Sequence, residues 1–359
     1  MKEAPENIRL RWQLWGLFLA MMSFYAVWQL HAEIVIPDSS SMMPAAFPVS
    51  PTLPPTIVDP KDLHGGGRLE DITIYAKESA GSDKKIARKG QAALYPSAKA
   101  NVVICHGFMC DKHDVAFLRR LFPSGQYNVF TFDFRGHGEE KGSHCCTFGR
   151  DEIYDVQAAV EYVKSKNNLP CIAYGFSMGA ASAIEAQARN HSLFDAMILD
   201  CPFDSSENVI KQGLEGMKIS AFGYEFKMPG SALLQKYAFH PHVQAFVKNV
   251  LRCITTLDPR NIQINMCRVY PAESIKKVAI PCLFIHCKND ERINVQAARN
   301  IYNNAGSGYK VLHITNGRSH FDSYFYAPEK YTSWVREFLN DVMGDNACCK
   351  QLQRVIEEE

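Results

Sequence analysis

The chain has no surplus of charge of either sign and no evident internal repeat. Its 359 residues carry 39 Lys and Arg against 38 Asp and Glu, a formal net charge of +1. Because nucleic-acid binding needs a concentrated positive surface, this balance gives no support for a nucleic-acid partner.

None of the twelve cysteines stands in a CxxC spacing, so we expect no metal site. The adjacent pairs Cys145-Cys146 and Cys348-Cys349 are nevertheless candidates for metal binding or lipidation.

Length and composition predict one large α/β domain. An apolar fraction of 47% supports a substantial core, and the length leaves room for an insertion. Strand-like apolar runs alternate with amphipathic stretches typical of helices, at 151–166, 295–304 and 329–343. This alternation predicts a mainly parallel sheet covered by helices on both faces.

The most informative segment reads Gly-Phe-Ser-Met-Gly at 175–179, between an apolar run and a stretch of small residues. It predicts a strand, a very tight turn with Ser177 at its apex, and the start of a helix. Gly175 and Gly179 fit because such a turn leaves no room for β-carbons on either side. The turn would hold the Ser177 hydroxyl beside helix N-terminal amides that can stabilise an oxyanion. The alternative is a tight turn with an idle serine.

A serine nucleophile needs a base, and the base needs an orienting carboxylate. Asp290 lies in the polar loop after the strand-like run 282–287, at the edge of an open α/β sheet where catalytic groups concentrate. It is the favoured acid, and its neighbour Glu291 is expected to be solvated. Asp200 and Asp204, which flank the end of an earlier strand, are the alternatives.

His320 is the expected base, since it lies on the loop after the strand-like run 309–314. His313 lies inside that run among apolar neighbours and is expected to be a packed or edge histidine. Three further histidines are expected at the surface or at caps: His191, His240 and His242.

Backbone amides for an oxyanion hole are predicted from a second strand end. The apolar run 101–105 is followed by His106, Gly107 and Phe108. Glycine would let the chain turn so that the Phe108 amide points toward the serine hydroxyl, and the Met178 amide would complete the pair. His106 is expected to be a structural hydrogen-bonding residue.

Together these stretches resemble the α/β-hydrolase superfamily over roughly 69–343. The matching stretches are HGF at 106–108, DFRGHG at 133–138, GFSMG at 175–179, the acid loop at Asp290 and the terminal His320. The segment 142–155 resembles the BEM46-like and serine aminopeptidase S33-like hydrolases. The resemblance implies a mainly parallel eight-stranded sheet flanked by helices with a helical lid insertion, and a Ser177–His320–Asp290 triad with Phe108 and Met178 amides. No cofactor is implied. Ser319 departs from the glycine that is common before the catalytic histidine.

The N-terminal region is expected to be a membrane anchor. The apolar run 14–27 has aromatic residues at its margins, basic residues before it and acidic residues after it. This places the N-terminus in the cytoplasm and the catalytic domain across the membrane, and a cleaved signal peptide is the alternative. The predicted domains are a cytoplasmic tail 1–11, a transmembrane signal-anchor 12–30, a Pro-rich linker 31–67, a hydrolase domain 68–345 with lid insertion 205–274, and a tail 346–359.

Cysteines and the lid leave two questions open. Twelve cysteines, several in buried-type strands, suit a reducing compartment and so conflict with the predicted orientation. The aromatic and methionine-containing segment 217–228 either lines an apolar acyl pocket or packs the lid onto the core.

The resulting hypothesis is a membrane-anchored serine hydrolase of carboxylic esters or thioesters, with a preference for hydrophobic acyl groups of a small molecule or lipid. A peptidase or aminopeptidase would use the same triad, with Glu215 and Glu225 available for a substrate amine. An acyltransferase would share the acyl-enzyme, and a non-catalytic anchored binding protein is the alternative from another class.

Overall fold

The computed structural model describes residues 66–140, 142–216, 218–221, 224–227, 231–245, 264–344 and 351–358. The predicted tail 1–11, the predicted span 12–30 and nearly all of the linker 31–67 lie outside these ranges. Among the helices within them, none is long and apolar enough to cross a membrane. The chain divides into a larger unit, Ala46–Val209 with Asn261–Glu359, and a smaller one, Met1–Ala45 with Ile210–Arg260.

The strands follow the apolar runs of the sequence. They are β1 (Arg68–Lys77), β2 (Lys85–Leu94), β3 (Ala100–Cys105), β4 (Tyr127–Phe132), β5 (Cys171–Phe176), β6 (Ala196–Asp200), β7 (Lys218–Ala221), β8 (Tyr224–Lys227), β9 (Cys282–Cys287), β10 (Tyr309–Thr315) and β11 (Leu352–Glu357). Strands β3 to β6, β9 and β10 are buried along their whole length, which explains why they read as continuous apolar runs.

One nine-stranded sheet organises the larger unit, in the order β1-β2-β4-β3-β5-β6-β9-β10-β11. The pairs β1–β2 and β2–β4 are antiparallel and the other six are parallel. The mainly parallel α/β-hydrolase sheet is confirmed. It has one strand more than the eight predicted, because β11 comes from the segment that was predicted to be a tail.

The α-helices of the described residues are α1 (Glu152–Lys166), α2 (Met178–Arg189), α3 (Ser206–Gly216), α4 (Ser231–Lys236), α5 (Pro271–Ser274), α6 (Val295–Asn304), α7 (Asp322–Tyr326) and α8 (Pro328–Met343). Helices of the larger unit cover both faces of its sheet. One apolar core lies on the face with α1, α2 and α6, and a second lies on the face with α7 and α8. The three helices predicted from amphipathic spacing are confirmed to within one residue at each end.

The smaller unit contains a hairpin as well as helix. Strands β7 and β8 pair antiparallel, with Ala221 opposite Tyr224. Their sequences alternate polar and apolar residues, which is the period of a strand. The predicted helix at 231–237 corresponds to α4, whereas the prediction at 243–251 lies mostly outside the described residues. The insertion is therefore not purely helical.

Candidate active site

Ser177 stands at the junction of β5 and α2, where the strand ends at Phe176 and the helix begins at Met178. Its φ of 51° and ψ of −114° lie in a sparsely populated region, which the surrounding structure must hold in place. A β-carbon on Gly175 would lie 2.5 Å from the Cα of Ala180. The predicted strained turn with glycines on either side is thus present.

Strained backbone recurs around this junction. The described non-glycine residues with positive φ are Met109, Phe148, Ser177, Cys201 and Phe321. Three of them are chain neighbours of Phe108, Asp200 and His320. Such conformations cost free energy and persist where the surrounding structure fixes them. Their concentration at this end of the sheet indicates a functional site whose backbone is fixed by its surroundings.

The loop after β3 is pressed against the start of α2. A β-carbon on Gly179 would lie 2.0 Å from the carbonyl oxygen of Cys105 and 2.6 Å from that of His106. The first N–H groups of a helix have no intrahelical acceptor, and Met178 is the first residue of α2. Phe108 follows His106 by two residues in the loop that packs against this helix start.

Gly107 is required for a reason that the sequence did not show. We expected it to supply a turn, but its backbone is not among the positive-φ glycines. A β-carbon there would lie 2.5 Å from the Phe176 ring. The glycine therefore allows close packing against Phe176, the residue that precedes Ser177.

The predicted acid and base are brought together. Nδ1 of His320 lies 2.6 Å from Oδ2 of Asp290, and the other carboxylate oxygen accepts the backbone N–H groups of Arg292 and Ile293 at 2.9 Å each. Burial raises the pKa of Asp290, but the charge and hydrogen bond of His320 outweigh it and leave that pKa below its usual value. Asp290 is therefore an anion oriented toward the imidazole.

His320 also lies beside the serine turn. Its ring centroid is 5.1 Å from that of Phe176, and the Phe321 ring is 4.0 Å from the same phenylalanine. The side chain of His320 is 12% exposed, whereas that of Asp290 is fully buried. Asp290, His320 and the turn at Ser177 thus lie at the carboxyl ends of β9, β10 and β5.

The alternative acids have other partners. Oδ2 of Asp200 accepts the hydroxyl of Tyr331 at 2.6 Å. Asp204 is bonded to the side-chain amides of Asn208 and Asn300, at distances of 2.9 to 3.0 Å. The hydrogen bond to His320 belongs to Asp290, as the sequence predicts.

Two further residues lie beside Asp290 and were not predicted from the sequence. The Sγ of Cys201, a carboxylate oxygen of Asp290 and a ring nitrogen of His320 all lie within 4.8 Å of one another. Nε2 of the buried His286 lies 2.8 Å from the carbonyl oxygen of Ile293 and 3.5 Å from the Asp290 carboxylate. Burial lowers the pKa of His286, so it supports the acid loop as a neutral ring. Neither residue carries a sequence signal beyond its place at a strand end.

His106 has the structural role that we expected. The ring is fully buried, its Nδ1 donates to the Gly107 carbonyl at 2.7 Å, and its Nε2 accepts the Phe134 N–H at 3.0 Å. Burial lowers its pKa to about 3, so it stays neutral and both nitrogens are used. His313 is packed too, stacked on Trp334 at 4.1 Å between ring centroids.

Aromatic side chains pack in a row that begins at Phe108. The rings of Phe108 and Phe148 are 5.1 Å apart, and Phe148 continues to Phe203 at 5.8 Å. Phe108 and Phe148 are only partly buried against the core. They therefore keep part of their apolar surface exposed.

Comparison with known proteins gives a family match. The sequence profile of the family described as "Serine aminopeptidase, S33" matches residues 96–321. The uncharacterised protein YqkD of Bacillus subtilis is 29% identical over 248 residues, which cover 68% of this chain and 72% of that protein. The lysophosphatidylserine lipase ABHD12 of Macaca fascicularis is 24% identical over 295 residues, which cover 75% of this chain but only 64% of the lipase.

Among solved structures, the esterase Pf2001 of Pyrococcus furiosus is similar with a TM-score of 0.56 at 23% identity. The match covers 81% of this chain and 99% of the esterase. At that identity the likeness shows the fold, and it agrees with the sheet described above.

Proposed function

The chain belongs to the serine aminopeptidase S33 family of α/β-hydrolases, and from this membership we propose that it is a serine hydrolase of carboxylic esters or thioesters. The observation that carries the proposal is the 2.6 Å hydrogen bond between Asp290 and His320, placed beside the strained turn at Ser177.

In the proposed reaction the Ser177 oxygen attacks the acyl carbon while His320 takes the serine proton. The N–H groups of Phe108 and Met178 donate to the oxyanion, each contributing about 3 kcal/mol to the transition state. His320 then gives the proton to the departing alcohol or thiol, leaving the acyl group on Ser177. A water molecule deprotonated by His320 releases the carboxylic acid. Asp290 holds the ring and stabilises its charged form throughout.

For the substrate we propose a hydrophobic acyl group. The partly buried rings of Phe108 and Phe148 support this, since they present apolar surface beside the oxyanion donors. The relative named as a lysophosphatidylserine lipase supports an acyl lipid as well. We retain the N-terminal anchor at 12–30 in the proposal, with the catalytic unit across the membrane from the N-terminus.

The nucleophile is tested with a fluorophosphonate probe on the purified full chain. Wild-type protein should be labelled and Ser177→Ala should not, while Ser319→Ala, which removes an exposed serine beside the base, should keep the label. Labelling that survives Ser177→Ala would refute the assignment.

Substrate class is tested with a series of acyl esters and thioesters from two to sixteen carbons and with aminoacyl amides. We expect kcat/KM to rise with acyl length and the amides to react slowly. Equal kcat/KM values across the series contradict the acyl preference, and faster hydrolysis of the amides supports the peptidase.

Membrane topology is tested by protease protection. Protease added to the cytosol of permeabilised cells should spare the catalytic unit if that unit lies across the membrane.

A further inference from the structure

A second carboxyl group, that of Asp200, is built into the serine turn. Asp200 is the last residue of β6 and stands opposite Phe176 in the β5–β6 register. Its backbone carbonyl accepts the N–H of Ser177 at 2.8 Å. The residue is fully buried. Its main chain therefore helps to hold the strained nucleophile, and its side chain is free for another role.

That side chain is tied to two tyrosines from different elements. Its Oδ2 accepts the hydroxyl of Tyr331, from α8, at 2.6 Å and that of Tyr174, from β5, at 3.3 Å. The two hydroxyl oxygens are themselves 2.6 Å apart. The cluster links the sheet to a helix more than a hundred residues later in the chain.

The other oxygen, Oδ1, is buried without a hydrogen-bond partner among the described residues. Leaving a buried carboxyl oxygen unpaired costs free energy that a neutral apolar side chain would not cost. The two tyrosine hydroxyls account for Oδ2, but they do not account for Oδ1. A charge that develops nearby during the reaction does.

His320 supplies such a charge. Its ring lies 5.1 Å from that of Phe176, the cross-strand partner of Asp200. The titratable groups that act on the Asp200 carboxyl are the hydroxyls of Tyr331 and Tyr174, the Cys201 thiol and the His320 imidazole. Of these four, only the imidazole can carry a positive charge.

We propose that Asp200 is a positioning residue that acts through His320, as a second carboxylate that stabilises the imidazolium formed when Ser177 is acylated and deacylated. Asp290 orients the ring by a hydrogen bond, and Asp200 adds a negative charge from beneath the serine turn. The inference rests on the proposed serine-hydrolase function.

The charge of Asp200 varies near neutral pH. Burial raises its pKa to about 6, against the lowering effects of Tyr331, Cys201, His320 and Tyr174. Above that pH the Asp200 carboxylate is ionised and stabilises the His320 imidazolium. Below that pH the carboxyl group is protonated and gives no such stabilisation. Removing the Tyr331 hydroxyl should raise the pKa of Asp200 further.

The test compares Asp200→Asn, Tyr331→Phe and the matched control Asp204→Asn, in which another buried carboxyl just after β6 is neutralised. For each full-length variant, kcat/KM for an acyl ester is measured from pH 5 to 9, and the His320 imidazole resonance is titrated by NMR. Asp200→Asn should lower the plateau of kcat/KM about tenfold and shift the His320 titration and the acidic limb to lower pH. Tyr331→Phe should shift the acidic limb to higher pH, and Asp204→Asn should leave both curves in place.

Opposite shifts in the two variants would not follow from a merely structural role, which would change thermal stability alone. Unshifted curves in Asp200→Asn refute the proposal. If that variant does not fold, an unmoved limb in Tyr331→Phe refutes it equally. Should the wild type not hydrolyse esters, the proposed function fails, whereas the NMR titration still tests whether Asp200 acts on His320.

Discussion

The carboxylate of Asp290 is held in one orientation because both of its oxygens accept hydrogen bonds. Oδ1 of Asp290 accepts two backbone amides and Oδ2 accepts the imidazole, so the carboxylate cannot rotate without losing hydrogen bonds. Hydrogen bonds to an ionised acceptor are the strong ones, and they offset the cost of burying this charge. The residue is thus ready to hold a single tautomer of His320.

We therefore expect Asp290→Asn to lower kcat/KM by on the order of 10⁴-fold. The asparagine oxygen can keep the two backbone amides, which turns its NH₂ toward Nδ1 of His320 and favours the wrong tautomer. Steady-state kinetics on an acyl ester measures the loss. The exposed neighbour is the control, and Glu291→Gln should retain wild-type rates. A loss below tenfold in Asp290→Asn would contradict its role.

A buried histidine away from the site should make stability depend on pH. Burial, with the charges of Arg354 and Lys330, lowers the pKa of His313 to about 4, against about 6.5 in an unfolded chain. Between these values the unfolded state binds the extra proton, so the free energy of unfolding falls as pH is lowered, by up to about 1.4 kcal/mol per pH unit.

His313→Phe should keep the stacking on Trp334 and flatten that dependence. Urea unfolding at several pH values from 7.5 to 4.5 measures the slope, with His191→Gln, at an exposed position, as the control that leaves it unchanged. A slope equal to that of the wild type in His313→Phe would show that this ring titrates normally.

The clustering of the candidate site residues was predictable from their positions along the chain. Ser177, Asp290 and His320 each follow an apolar run, and parallel strands bring their carboxyl ends to one edge. The surroundings of Asp200 were not predictable, because its partner Tyr331 comes from α8 and the contact spans 131 residues. No local pattern records a contact at that separation.

At the scale of elements, β11 forms one edge of the sheet. It pairs in parallel with β10, and its residues are mostly exposed. The N–H groups of Leu352 and Glu358 donate to the Gly308 and Ile314 carbonyls, at 3.1 and 3.0 Å. Since a strand repeats every two residues, the N–H of Arg354 also faces β10, while that of Val355 faces away.

This register predicts unequal effects of proline at adjacent positions. Arg354→Pro should lower the free energy of unfolding by about 1–3 kcal/mol more than Val355→Pro, because only the first removes a ladder donor. Denaturant unfolding measures both, and Arg354→Ala corrects for the lost side chain. Equal destabilisation would mean that the pairing is shifted by one residue.

The elements that sequence reasoning missed have weak patterns. The central strands and the long helices α1, α6 and α8 could be predicted because burial on one or both faces gives their sequences a clear apolar pattern. In contrast, β11 is mostly exposed and lacks such a pattern. Strands β7 and β8 have four residues each, which is too short for periodicity to distinguish a strand from a helix.

For the whole molecule, the cysteines form no cross-links within the described residues. Nine are free thiols there, seven of them buried, and only Cys145 and Cys267 are partly exposed. Burial raises the pKa of Cys171 and Cys282 to about 12, so they behave as small apolar side chains. Covalent cross-links therefore contribute nothing to the stability of the described core.

Thiol titration without reductant should show this directly. The denatured protein should yield at least nine reactive thiols per chain, and the native protein should react quickly at Cys145 and Cys267 but slowly at the buried seven. The double variant Cys145→Ser, Cys267→Ser is the control and should lose two equivalents from the fast phase. Fewer than nine thiols after denaturation would reveal a disulfide.

The placement of β6 next to β9 has an evolutionary consequence. The two strands are ladder neighbours, with Leu199 opposite Phe284, although β6 ends at Asp200 and β9 begins at Cys282. The long stretch between them departs from one strand and returns to the adjacent one, so its length does not enter the pairing of the sheet. A relative with a longer or shorter stretch here could therefore keep the register of β5, β9 and β10, the strands that Ser177, Asp290 and His320 follow.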